Sequence, residues 1–229
     1  METNLDRQAG AGTRKLNSVM IRSTIVAALG GLLFGFDTAV ISGVTHALTQ
    51  VYALSPASLG WTVASALWGT VIGAMLAGIP GDRFGRRDSL RGLAILYLVS
   101  ALGCGLAWNW NALVVFRFIA GLGIGGSSVL GPMYIAEIAP AKWRGRLVGL
   151  FQFNVVFGIL LAYFSNYMLG TLGFGAAEWR WKLGISALPA ALFFAMLFGI
   201  PRSPRWLVKK HRIEEARQAL LATGEADVE

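Results

Sequence analysis

Two residues in this sequence are out of place, and together they could do chemistry. Asp37 stands in the apolar run GGLLFGFDTAVISG, residues 30–43, among Phe34, Phe36, Val40 and Ile41. Arg117 stands in a second apolar run, VVFRFIAGLG. Two readings are open. As a fixed ion pair they would lock two helices together, although a packed hydrophobic pair usually serves stability as well. As a proton or ion site, Asp37 titrates and Arg117 tunes its affinity. Ionisable groups inside a bilayer cost roughly 2.5–3.5 kcal/mol each on insertion scales, and those retained are commonly functional.

The elements that position this pair follow from composition. Of 229 residues, 55% are hydrophobic and 14% charged, against about 25% charged in an ordinary soluble domain. Mean hydropathy is +0.58. A transmembrane helix needs roughly 20 mostly apolar residues, and six stretches qualify, over about 22–45, 58–80, 89–107, 112–135, 147–169 and 181–200. None alternates with period two, which argues against a β-barrel. The expectation is an all-α membrane protein. A polar tail over 1–21, without the features of a signal peptide, precedes a six-helix bundle over 22–200 and a polar tail over 201–229.

The net charge of +8 raises nucleic acid as a partner, and its placement argues against one. Arg7, Arg14, Lys15 and Arg22 precede the first span. Arg83, Arg86, Arg87 and Arg91 follow the second, and Lys142, Arg144 and Arg146 follow the fourth. Arg202, Arg205, Lys209, Lys210, Arg212 and Arg217 follow the sixth, while the other side carries only Arg180 and Lys182. Basic connections stay cytoplasmic, so both termini are expected inside, with the bilayer as the partner of the basic face. On that topology the first span runs outward to about Val44, placing Asp37 ~10 Å below the outer surface at 1.5 Å per residue. The fourth span runs inward from about Ala112, placing Arg117 ~8 Å below the same surface. The two charges share a layer.

Other motifs carry less. GLGIGG, residues 121–126, fits a dinucleotide-binding pattern, but that pattern needs a preceding strand. Gly121 and Gly125, Gly31 and Gly35, and Gly69 and Gly73 instead give the small-x-x-x-small spacing that lets helices approach closely, either to pack or to slide. Cys104 is the only cysteine, and His46 and His211 are isolated, so no metal cluster and no cofactor is expected. No nucleophile–base pair lies within the spans, which argues against an enzyme.

These residues resemble the N-terminal half of a major facilitator superfamily transporter of the sugar porter type. GGLLFGFDTAVISG is similar to that family's first helix, GDRFGRRDSL to the loop between its second and third, and RFIAGLGIG to its fourth. PMYIAEIAPAKWRGRL carries the E-x-x-P-x-x-x-R-G signature through Glu137, Pro140, Arg144 and Gly145, and PRSPRWLV resembles the segment after the sixth helix. The resemblance implies a secondary transporter moving a small sugar or polyol, coupled to protons by alternating access. Asp37 and Arg117 would carry the coupling, and Gln152 and Phe34 would meet the sugar. Asp82, Arg83, Arg86, Arg87, Glu137, Arg144 and Arg205 would form a cytoplasmic gating network. The setting would be the plasma membrane, or the inner membrane of a bacterium.

Two departures stand out. Arg202 occupies a position where the family has glutamate. The family has twelve helices in two similar halves, whereas this sequence carries six, followed by a tail with Ile213, Ala216, Leu220 and Leu221 on one side of a short helix. Transport would then need a second half, from a second copy or a separate chain. A non-transporting remnant or membrane interaction partner is the alternative.

Overall fold

A computed structural model describes residues 17–224. The polar stretch expected over 1–21 therefore lies, up to residue 16, outside the described residues, as does the end of the tail beyond 224. Six helices are long and apolar enough to span a membrane: Ser18–Gly43, Pro56–Leu76, Arg86–Gly105, Trp110–Ile138, Arg144–Thr171 and Gly175–Gly199. They are the first to sixth spans below. Among the described residues there is no strand.

Local chemistry sets the helix ends. Asn17 accepts from the Met20 N–H, Ser55 from Ser58 and Asn109 from Ala112, each satisfying an orphan donor of a first turn. The Asn17 cap starts the first span at Ser18, earlier than hydropathy placed it. Proline breaks two other spans. Pro80 cannot donate to the Leu76 carbonyl, and the helix stops there before resuming as Gly78–Phe84. Pro189 does the same to Ile185, dividing the sixth span into Glu178–Gly184 and Ala187–Met196. Gly85 joins the Gly78–Phe84 helix to the third span at φ +91°, with the Trp206 ring against its Cα. Only glycine takes that backbone conformation without strain.

The fourth span is the hub. It packs along the second, against the third and across the first, while the first packs along the fifth and the third along the sixth. Exchanging the first with the fourth, the second with the fifth and the third with the sixth maps the two longest contacts onto each other. This is the pattern of a nested three-plus-three repeat. Glycines make both contacts possible. A methyl on Gly121 or Gly125 would strike the backbone of Ala66 or Thr70, and one on Gly35 or Gly158 would strike that of Val155 or Leu32. The small-residue spacings are thus close backbone contacts.

Beyond the bundle, Pro204–Lys209 and Ile213–Ala222 form two short helices. The last one buries Ala216 and Ala219 against Trp206 and Leu207. Its expected face shifts accordingly: Ala216 and half-buried Leu220 face inward, while Ile213 and Leu221 are exposed. Asn17 Nδ2 donates to the Ala222 carbonyl at 2.7 Å, tying this helix to the start of the first span.

Candidate functional site

The first and fourth spans cross with Asp37 and Arg117 facing each other. Arg117 Nη1 donates to both Asp37 carboxylate oxygens, at 3.0 Å each. Arg117 is 2% exposed and Asp37 7%. Around them, Tyr97 of the third span donates its hydroxyl to the Leu33 carbonyl at 3.0 Å, and Cys104 is buried nearby. A lone charge here would be very costly, so each supports the other. The guanidinium cannot lose its proton, whereas the carboxylate can accept one. Arg117 Nε is buried with no hydrogen-bond partner among the described residues.

Gln152 and Phe34 lie on the fifth and first spans, which pack together. Gln152 is exposed on its helix and, among the described residues, makes no hydrogen bond. Its amide can both donate and accept, which suits a hydroxyl-rich ligand. Phe34 is half-buried against the core. Thr38, one turn along, is exposed and bonds back to the Phe34 carbonyl at 2.8 Å.

The basic end of the bundle gathers part of the expected network. Arg86 is its centre: Nε donates to Glu137 Oε1 at 2.9 Å, and Nη1 donates to Asp82 Oδ1 at 2.9 Å and to the Gly81 carbonyl at 3.0 Å. Ser203, which caps the Pro204–Lys209 helix, donates to the second oxygen of Glu137. Trp206 Nε1 donates to the Asp82 carbonyl at 3.0 Å. Lys209 sits 3.4 Å from Asp82. The Arg86 hydrogen bond, aided by the charge of Lys209, holds the exposed Asp82 carboxyl below the usual carboxylate range. Arg87 belongs to a neighbouring cluster around Asp88 and also donates to the Ile200 carbonyl at 3.1 Å.

Three expected members stand apart. Among the described residues, Arg83, Arg144 and Arg205 make no ion pair; Arg83 lies over the Phe84 ring at 5.3 Å and Arg205 is exposed. Conversely, Asp88, Ser203, Trp206 and Lys209 were not expected. Asp88 was the most legible of these, an acid inside a run of arginines in GRRDSLR.

The sequence and the fold have counterparts in known proteins. Residues 23–229 match the family described as "Sugar (and other) transporter". The chain is 40% identical to the D-xylose-proton symporter of Escherichia coli (strain K12) over 238 aligned positions, covering 91% of this chain and 48% of that protein. It is 45% identical to the D-xylose transporter of Levilactobacillus brevis over 193 positions, covering 84% of this chain and 42% of that one. Among solved structures, the proton:xylose symporter XylE bound to 6-bromo-6-deoxy-D-glucose superposes with a TM-score of 0.86 at 40% identity, over 90% of this chain and 50% of that one. The chain spans about half the length of the relatives it matches.

Proposed function

The chain belongs to the sugar transporter family of the major facilitator superfamily, and from that premise we propose that it carries a small sugar or polyol across the membrane together with a proton. It is a multi-pass membrane protein and corresponds to the N-terminal half of its relatives, which are transporters rather than enzymes. The observation that carries the proposal is the buried Asp37–Arg117 pair. In a chain 40% identical to a proton symporter, a carboxylate held by one guanidinium nitrogen is a proton acceptor with a built-in competitor. Protonation of Asp37 releases Arg117, and deprotonation restores the pair. The two states differ in affinity for the helix arrangement, which is what a shift in equilibrium requires.

In this reading Gln152 and Phe34 meet the sugar from one side, and a second six-helix half supplies the other. Asp82, Arg86, Arg87 and Glu137 tie the basic ends of the spans together. Arg83, Arg144 and Arg205, without an ion pair among the described residues, face partners in the second. Residues 22–200 form the membrane bundle with the flanking tails on its cytoplasmic side, in the plasma membrane.

Uptake of D-xylose against its gradient, driven by an imposed pH difference, tests the proposal in vesicles. Uptake by this chain alone identifies the second half as another copy. Uptake only when the C-terminal half of the E. coli relative is co-reconstituted shows that a second six-helix half is required for transport. No uptake in either case refutes transport.

A further inference from the structure

A second charge cluster at the basic end is built around Asp88, which the transport reading leaves without a role. Arg87 Nε, Arg91 Nη1 and the Nε and Nη2 of Arg202 all donate to the one carboxylate of Asp88, at 2.8–3.1 Å. Arg202 also lies 3.7 Å from Glu215, but Glu215 is already held by Arg212. Four guanidiniums thus share two carboxylates, leaving two positive charges over among these groups. The Arg87, Arg91 and Arg202 side chains are only 18, 20 and 29% exposed, so water screens their repulsion incompletely. Arginine cannot relieve it by losing a proton. Arg91 Nε is buried with no hydrogen-bond partner among the described residues.

A cleft of about 280 Å³ opens against this cluster, lined by Arg87, Arg202, Pro201, Leu207, Gln218 and Glu215, with Ala219 and Ala222 behind them. We propose that it binds a phosphate monoester group. The guanidinium planes of Arg87 and Arg202 match phosphoryl oxygens, and the Gln218 amide adds a neutral donor. Such a group carries about −1.5 to −2 near neutral pH, which equals the excess. Glu215 does not forbid it, because Arg212 already neutralises that carboxylate. Arg202 creates the site: with the family's glutamate at this position the excess would vanish. The bound group bridges the start of the third span, the segment after the sixth and the last helix, and so clamps that helix to the bundle. Its source is either a soluble phosphorylated solute or the monoester headgroup of phosphatidate.

Thermal unfolding of the full chain distinguishes the two. In neutral detergent, inorganic phosphate should raise Tm saturably by about 2–4 °C over chloride at matched ionic strength. In phosphatidylcholine nanodiscs, adding phosphatidate tests the headgroup. A rise with inorganic phosphate supports a solute site, and a rise with phosphatidate alone supports a headgroup site. Gln218→Glu, which places a negative charge in the cleft without breaking an ion pair, should abolish either rise, as should Arg202→Glu. An equal rise in chloride, or an undiminished rise in Gln218→Glu, overturns the proposal.

Discussion

A single nitrogen of Arg117 serves both carboxylate oxygens of Asp37, at 3.0 Å each. A fork-on-fork pair would use two nitrogens. Here the carboxylate is satisfied, while the guanidinium keeps a buried Nε with no hydrogen-bond partner among the described residues. The arrangement supports two buried charges without the most rigid geometry available to them.

The pair should show an asymmetric mutant cycle. Asp37→Leu strands a guanidinium that cannot neutralise itself, and should destabilise by about 3–5 kcal/mol. Arg117→Leu strands a carboxylate that can take up a proton, and should cost less. The double variant, with no buried charge, should recover most of the loss. Denaturant unfolding in detergent measures all three. Additive losses would show that the contact contributes nothing.

Close backbone contact predicts opposite signs at two glycines. A methyl on Gly125 meets the Thr70 carbonyl and the Ala74 nitrogen, whereas one on Gly149 meets nothing within 4 Å. Gly125→Ala should therefore destabilise by about 1–3 kcal/mol through overpacking. Gly149→Ala, in a helix interior, should be neutral or stabilising by roughly 0.5–1 kcal/mol. Equal effects in thermal unfolding would mean that the second and fourth spans are not in contact at Gly125.

At the basic end, Arg86 and Arg83 should separate. Arg86 serves Glu137, Asp82 and the Gly81 carbonyl, so Arg86→Ala should cost about 1–3 kcal/mol. Arg83→Ala should stay within about 0.5 kcal/mol. The pH dependence follows from Asp82, whose folded-state pKa lies below its ordinary value, first through the Arg86 hydrogen bond. Its contribution is present above the ordinary carboxylate range and is lost as pH falls through the lowered pKa. In Arg86→Ala that difference between folded and unfolded states is largely removed, so Tm should fall less steeply on acidification than in the wild type. Superimposable acid limbs would contradict the assignment.

The sequence was most legible where one physical term dominates. Hydropathy located six spans, and charge placement put Asp37 and Arg117 in one layer, because burying a charge is too costly to be accidental. Backbone breaks were less legible: hydropathy does not register the donor that Pro80 and Pro189 lack, although the carbonyl four residues before each marks the break. The basic end was read in part. Arg86 and Glu137 meet, but Arg202 reaches Asp88 across 114 positions of sequence, a convergence no local pattern contains. The last helix shows the same limit, since Ala219 rather than Leu221 is buried once Trp206 and Leu207 supply the surface.

Orientation is testable with single cysteines in a Cys104→Ala background. Gly224 lies in the polar segment after the sixth span, and exposed Gln50 lies between the first and second. Because basic connections stay cytoplasmic, the excess arginine and lysine on the first of these sides predicts that it faces the cytoplasm. A membrane-impermeant maleimide applied to intact cells should label position 50 and spare position 224. The reverse pattern would invert the topology.

Coupling and recognition should separate in two variants of the transporting assembly. Asp37→Asn keeps the side chain's shape and a hydrogen-bond acceptor for Arg117, but cannot take up and release a proton. It should abolish uphill uptake driven by a pH gradient while leaving sugar counterflow intact, since exchange needs only reorientation of the loaded carrier. Gln152→Ala removes an exposed side-chain amide that makes no hydrogen bond among the described residues, so it should not alter stability. It should weaken sugar binding by roughly 1–3 kcal/mol, the scale of one or two hydrogen bonds, and leave the pH dependence of uptake unchanged. Both are measured in proteoliposomes, as accumulation under an imposed gradient and as counterflow at equal pH. Uphill uptake by Asp37→Asn would reduce the buried pair to a structural bond between the first and fourth spans, because a side chain that cannot hold a proton cannot carry one.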